Sequence, residues 1–210
     1  MGVRLEVVNV AATKIIWLFF FHCVAVGMIG CAARPDAARN EKLASARQVF
    51  VVRHTERFSD GADPGLTREG EARAQALAVT LRDACITAII TTQWRRTRDT
   101  ATPLAAILRI TPEVVAIDDK RPLEHFQAVA DAVRRHRDEN VLVIGHITVT
   151  NIIAALGGPR LPTICENVFS DLFVLTPADG DQGLLHLHYG AAEDISPRCR
   201  LTAPLAEDRR

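Results

Sequence analysis

The chain contains no Cys-x-x-Cys pair, no internal repeat, no block of low complexity and no excess of either charge. Without a Cys-x-x-Cys pair, a zinc ribbon does not organise the fold. The 25 basic residues balance the 25 acidic ones, for a formal net charge of +0. That removes the electrostatic footprint of a dedicated nucleic-acid binder. Apolar residues make up 48% of the sequence, which argues against a disordered chain. Its 210 residues suffice for one domain with a substantial core.

The N-terminus has the pattern of an export signal. Lys14 precedes an apolar stretch from Ile15 to Gly30 that includes Trp17, Leu18, Phe19, Phe20 and Phe21. The stretch ends at Met28-Ile29-Gly30-Cys31, which resembles the lipobox of bacterial lipoproteins, whose cysteine becomes the acylated first residue. Met28 is an unusual first residue for that box. The segment Met1 to Thr13, with Glu6, is long, so the start site could lie further downstream. The reading is a signal peptide over residues 1–30, a tether over 31–46 and a folded domain over 47–210. The protein is then expected at the cell envelope, held by lipid on Cys31 at the outer membrane or on the periplasmic face. An uncleaved N-terminal helix is the alternative, because the apolar run is nearly long enough to span a bilayer. Export permits disulfides. If a disulfide forms, Cys165 with Cys199 is the pair that fits, because Cys85 falls in the apolar region from Leu81 to Ile90. Three unpaired thiols are the other possibility.

Apolar patterning sets the element order. Gln48–Val52 is a β-branched run suited to a buried strand. Thr67, after Pro64-Gly65 and before Glu69 and Glu71, starts a helix whose face carries Gly70, Ala74, Leu77 and Leu81. Ala88–Thr92 is a second strand. Thr97–Leu108 is helical, with a kink or a late start expected at Pro103. Val114–Ile117 is a short third strand. Phe126, Val129, Ala130 and Val133 line an amphipathic helix. Val141–Ile144 is the fourth strand, followed by a helix carrying Val149, Ile152, Ile153 and Leu156 that Gly157-Gly158-Pro159 ends. Asp171–Leu175 and Leu184–Tyr189 are two further strands. Alternating strand and helix predicts an α/β domain with a mostly parallel sheet, whose ligands sit beyond the carboxyl ends of the strands.

Polar residues converge on that edge. The first strand stops at Arg53-His54-Thr55-Glu56 and the fourth at Gly145-His146. The second runs into Thr91-Thr92-Gln93-Trp94-Arg95-Arg96. Two strand-terminal imidazoles with an adjoining guanidinium suit an anionic phosphoryl group.

These segments resemble, in order, the signature of the histidine phosphatase superfamily, the phosphoglycerate-mutase-like phosphatases. Arg53-His54-Thr55-Glu56 resembles its R-H-G-E motif. Leu66-Thr67-Arg68-Glu69-Gly70 resembles its L-T-x-x-G helix start. Thr91 to Ala101 is similar to its S-S-P-x-x-R-x-x-x-T-A segment, and Val143-Ile144-Gly145-His146 to the strand bearing its second histidine. The likeness covers residues 48–158.

The resemblance implies a histidine-phosphatase fold and a phosphatase acting through phosphohistidine. A phosphotransferase or mutase using the same intermediate, and a non-catalytic anion-binding lipoprotein, are the alternatives. His54 would be the nucleophile through a neutral ring nitrogen. Arg53 and Arg96 would clamp the phosphoryl oxygens, and His146 would stabilise the charge developing on them. The T-A alignment selects Arg96 over Arg95 and Arg98, which read as rim residues. No metal or cofactor is implied. The partners implied are a phosphorylated small molecule or protein and, through the lipid, a membrane, with no nucleic acid. Oligomeric state is not legible.

Other positions are open. Ile147-Thr148 departs from the family pattern beside the second histidine, so the proton donor is not fixed. Glu124 is the candidate general acid, with a plain first-turn helix carboxylate as the alternative. Asp118 and Asp119 are poorer candidates. Glu56 could tune the pocket or cap local backbone. His125 and His136 read as surface residues. His186 and His188 share one strand face and read as a partly exposed face of the sheet; metal ligation is the alternative, but the sequence offers no third partner. Asp60–Gly65 is either a loop over the pocket or a turn.

Overall fold

A computed structural model describes residues 48–118, 120–176 and 183–193. The proposed signal peptide, Cys31, the tether, Asp119 and Cys199 lie outside the described residues. Among the described residues, six strands and four helices follow the expected order. These are β1 (Gln48–Arg53), α1 (Arg68–Leu81), β2 (Ile86–Thr91), α2 (Arg95–Leu108) and β3 (Glu113–Val114). Then come α3 (Pro122–Arg135), β4 (Asn140–Gly145), α4 (Val149–Ala155), β5 (Asp171–Thr176) and β6 (Gly183–His188). Among the described residues, no helix is long and apolar enough to cross a membrane.

The strands form one sheet in the order β3-β2-β4-β1-β5-β6. β1, β2, β3 and β4 pair in parallel, and β5 and β6 add antiparallel to the β1 side. The carboxyl ends of β1 and β4 therefore lie side by side, with Arg53 opposite Gly145. The His54 N–H donates to the Gly145 carbonyl at 2.9 Å, which extends the ladder by one residue and ties the two histidine-bearing ends together.

Strand alternation splits the core in two. Val49, Val51, Val141, Val143, Phe173 and Leu175 face α3 and α4. Phe50, Val52, Leu142, Ile144, Leu172 and Val174 face α1 and α2. Burial on both faces explains why the central strands are apolar throughout rather than alternating. Leu77, Leu104 and Leu142 are fully buried, and truncating any one to alanine should cost about 2–5 kcal/mol.

Three local expectations need correction. Helix α2 starts at Arg95 and runs unbroken through Pro103. Ala101, Leu104 and Ala105 on its buried face offset the roughly 3 kcal/mol that an interior proline costs. The third strand is only Glu113–Val114, because β3 is an edge that pairs on one side alone. Cys85 is an exposed residue at φ 52 in the turn before β2, not an apolar core position. Cys85 and Cys165 are both disulfide-bonded, so the alternative of three unpaired thiols does not hold.

Candidate active site

His54 is fully buried at the end of β1. Its Nδ1 lies 2.8 Å from the Thr55 carbonyl oxygen. A carbonyl only accepts, so Nδ1 carries the proton and Nε2 keeps its lone pair. Nε2 is buried and has no hydrogen-bond partner. Burial pushes the imidazole pKa from 6.5 down to about 2, with the charges of Arg53, His146 and Arg96 acting in the same direction. The ring is therefore neutral at physiological pH. The His146 ring stacks beside it, with centroids 5.3 Å apart and planes inclined by 30°.

The backbone after His54 is fixed by α2. The Thr55 N–H donates to Thr100 Oγ1 at 3.1 Å, and Thr100 Oγ1 donates to the Arg96 carbonyl at 2.8 Å. Thr55 replaces a motif glycine without strain, because its φ is not positive. Gly70 serves close approach instead. A Cβ there would lie 2.0 Å from the Glu56 carbonyl oxygen, which also accepts from the Thr67 N–H at 3.0 Å. Thr67 caps α1 by accepting from the Gly70 N–H at 3.2 Å, so the helix start is pressed onto the loop that carries His54.

Arg53 holds structure. Its Nη1 donates to the carbonyls of Cys165, Glu166 and Val168 at 3.1, 2.7 and 2.9 Å. Its guanidinium carbon lies 4.1 Å from the Phe169 ring centroid, a cation–π contact. The Phe169 ring is also 6.3 Å from that of His54. Burial lowers the Arg53 pKa to about 10, which leaves it cationic at neutral pH. Nε of Arg53 is buried without a hydrogen-bond partner, like Nε2 of the next residue. Two such atoms on consecutive residues are costly unless a ligand satisfies them.

Arg96 and His146 line one cavity of about 340 Å³ with Trp94, Ile117, His125 and Thr148. The Arg96 guanidinium lies 5.1 Å from the Trp94 ring centroid. Gln93 shapes the rim: its amide group donates to the Ile117 carbonyl and accepts from the Ile117 N–H, both at 2.9 Å. Arg95 and Arg98 are exposed, and the Arg95 N–H donates to Asp63 at 2.8 Å. Asp60–Gly65 is a closed turn, since Arg57 bridges to Leu66 and the Phe58 N–H donates to the Gly65 carbonyl. A larger groove of about 670 Å³ lies beyond Leu123 and Phe126, where the only charged lining residue is Arg160.

Glu124 is exposed and paired with Arg121 at 2.9 Å, outside the residues lining the cavity. Its neighbour His125 does line it. His125 is buried rather than on the surface, its Nδ1 is 3.2 Å from the Ala116 carbonyl oxygen, and burial lowers its pKa. One residue along α3 turns the side chain by about 100°, and with no apolar residue at position 125 the periodicity gave no sign of this burial. Glu56 neither lines the cavity nor caps backbone. It pairs with buried Arg73 at 2.8 Å, and Arg73 also pairs with Glu193 at 3.0 Å and donates to the Tyr189 and Ala191 carbonyls. Glu193 in turn accepts from the N–H groups of Phe169 and Ser170. This chain of ion pairs joins the loop after His54 to the loop bearing Phe169. Phe169 and Glu193 were missed from the sequence, because neither lies in a periodic or motif-bearing segment; Thr100 lies in the Thr-Ala motif, but the motif did not show that its hydroxyl holds the Thr55 N–H.

Residues 49–118 match a family model described as histidine phosphatase superfamily (branch 1). No curated protein matches the sequence. Among solved structures, the protein histidine phosphatase SixA complexed with tungstate is similar at 21% identity and a TM-score of 0.50, over 67% of this chain and 96% of that one. YhfR of Bacillus stearothermophilus is similar at 18% identity and a TM-score of 0.52, over 65% of this chain and 94% of that one. At such identities the structures establish the shared fold. Residues 49–118 are thus similar to the histidine phosphatase superfamily, and the sheet and its flanking helices are those of the solved structures.

Proposed function

We propose that the protein is a phosphatase that hydrolyses a phosphomonoester or a phosphorylated side chain through a phosphohistidine on His54. The observation that carries this is the state of the His54 ring: buried, neutral, with Nδ1–H committed to the Thr55 carbonyl and the Nε2 lone pair uncommitted. In the first step Nε2 attacks phosphorus and the bond to the leaving oxygen breaks. In the second, water attacks the phosphohistidine, inorganic phosphate departs, and Nε2 regains its lone pair. Arg53 Nε, Arg96 and His146 stabilise the phosphoryl oxygens in both displacements. Glu124 faces away from the cavity, so good leaving groups, which need little protonation, suit this site best. The fold shared with a protein histidine phosphatase supports phosphorylated side chains as one substrate class.

Acid-free rapid quenching with a labelled phosphomonoester tests the covalent step. It should trap an acid-labile phosphoryl group on the peptide containing His54. Label found only on serine or aspartate rejects the mechanism. No turnover of any phosphomonoester favours a non-catalytic anion-binding protein instead. The proposal extends to the anchor: Gly30-Cys31 after the apolar run supports acylation of Cys31. Mass spectrometry that finds an intact, unmodified N-terminus removes that part.

A further inference from the structure

His186 and His188 lie two apart on edge strand β6 and share a face. The pairing with β5 supplies what the sequence lacked. Asp171 stands directly opposite His188, and Phe173 opposite His186, so all four side chains are on one face. The Asp171 carboxylate is buried, with Oδ1 at 2.8 Å from His186 Nε2 and 3.3 Å from His188 Nδ1. One donor atom from each of the three lies within 4.8 Å of the others.

The surroundings are arranged for a cation. Among the described residues, no lysine or arginine pairs with Asp171; its ion-pair partners are the two imidazoles. A buried carboxylate without a fixed positive charge is expensive. The His186 ring is held by stacking on Phe173, with centroids 4.7 Å apart and planes 15° apart. His188 is half-exposed, and Ser170 Oγ lies 3.3 Å from its Nδ1. Ser170 is itself fixed by donating to Glu193 at 2.8 Å. His186 is thus held by its stacking, Asp171 is buried, and His188 reaches solvent.

We infer that Asp171, His186 and His188 form a binding site for a divalent transition-metal ion, with the Asp171 carboxylate and the two imidazoles as ligands. Two nitrogens and one carboxylate oxygen suit zinc and its neighbours rather than calcium or magnesium. Ligand bonds of about 2.0–2.2 Å at tetrahedral angles place donors about 3.4 Å apart. Asp171 Oδ1 is already 2.8 and 3.3 Å from the two ring nitrogens, and the whole set lies within 4.8 Å, so small movements, chiefly of exposed His188, close it. Edge strand β6 leaves a fourth position open to water. The bound ion would pin β6 to β5 beside the loop that carries Phe169, and so brace the wall behind Arg53.

The test uses the untagged full-length protein in detergent, stripped of metal by a chelator. Zinc is titrated by calorimetry, and cobalt by its visible absorption. The wild type should take up one zinc per chain at this site and show the intense cobalt bands of a four-coordinate ion. His186→Ala and His188→Ala should each weaken zinc uptake by more than the roughly 10–100-fold typical of an outer-shell change. His54→Ala should retain it, which separates this site from the histidine pair beyond β1 and β4. Circular dichroism verifies that each variant is folded. Absence of zinc uptake by the folded wild type overturns the inference and leaves a hydrogen-bonded Asp–His cluster. Uptake that survives in both edge variants, or disappears in His54→Ala, overturns it equally.

Discussion

His54 and His146 follow two parallel strands at the centre of the sheet, whereas His186 and His188 lie on its antiparallel margin. The two pairs are level with each other, because the register that sets Val52 opposite Leu172 carries Arg53 to the height of Asp171. Their surroundings are opposite. The central His54 is buried against arginines, with its proton fixed on Nδ1 by a backbone carbonyl. The marginal pair surrounds a buried carboxylate and is partly open to solvent. A neutral imidazole beside cations is suited to attack an anionic phosphoryl group. Imidazoles beside a carboxylate are suited to hold a cation. The same residue type at the same edge of one sheet is thus assigned different chemistry by burial and by the sign of its neighbour.

The largest effect that could break this contrast is loss of a central histidine set against loss of a marginal one. His54→Ala should reduce phosphomonoester turnover by on the order of 10⁴-fold or more, as removal of a nucleophile does. His186→Ala should leave turnover within a few-fold. Steady-state kinetics on both variants, measured with zinc present and after chelation, decides the matter. Comparable losses in the two would mean that both pairs serve the same chemistry.

A smaller effect separates the arginines. Arg96→Ala should lower kcat/KM by roughly 10²–10³-fold, the usual consequence of losing one donor to developing charge. Arg98→Ala, on the exposed face of the same helix, should do little. An equal loss in Arg98→Ala would show that the cavity lined by Trp94 and His146 is not where the phosphoryl group sits.

How much of this was legible in the sequence depends on how far each interaction reaches along the chain. β1, β4 and their helices were legible because continuous apolar runs and helical spacing are local signals. A shared edge for Arg53, His54 and His146 was legible because strand ends in a parallel sheet lie together; the structure sets Arg53 opposite Gly145, stacks His146 beside His54, and lines one cavity with Arg96 and His146. The dual use of Arg53 was not legible, because its carbonyl partners are more than 110 residues away. Asp171 as a third partner for His186 and His188 was hidden for a similar reason: strand register, not spacing, makes that contact. The outward turn of Glu124 and the inward turn of His125 differ by a single position on a helix whose start is irregular, with Arg121 at φ −135. Residue type alone would have chosen the carboxylate.

The smallest effect sharpens the electrostatic side of the contrast. The His54 pKa falls from 6.5 in an unstructured chain to about 2 in the folded protein. Below the higher value, the unfolded chain binds a proton that the folded one does not. Acid therefore favours unfolding, and the contribution of neutral His54 is complete above 6.5 and lost as pH falls toward about 2. Inside that window the loss has a slope of about 1.4 kcal/mol per pH unit from this one group. Carboxylates titrate over part of the same range, so the informative quantity is a difference. Urea unfolding of the wild type and of His54→Asn, which keeps a polar side chain but cannot take up the proton, should be compared at pH 6 and pH 5. The wild type should lose about 1 kcal/mol more than the variant over that step. Parallel losses would mean that His54 is protonated in the folded protein at mild acid. The uncommitted lone pair on which the proposed attack depends would then be absent, and the central pair would no longer differ from the marginal one in the way its surroundings imply.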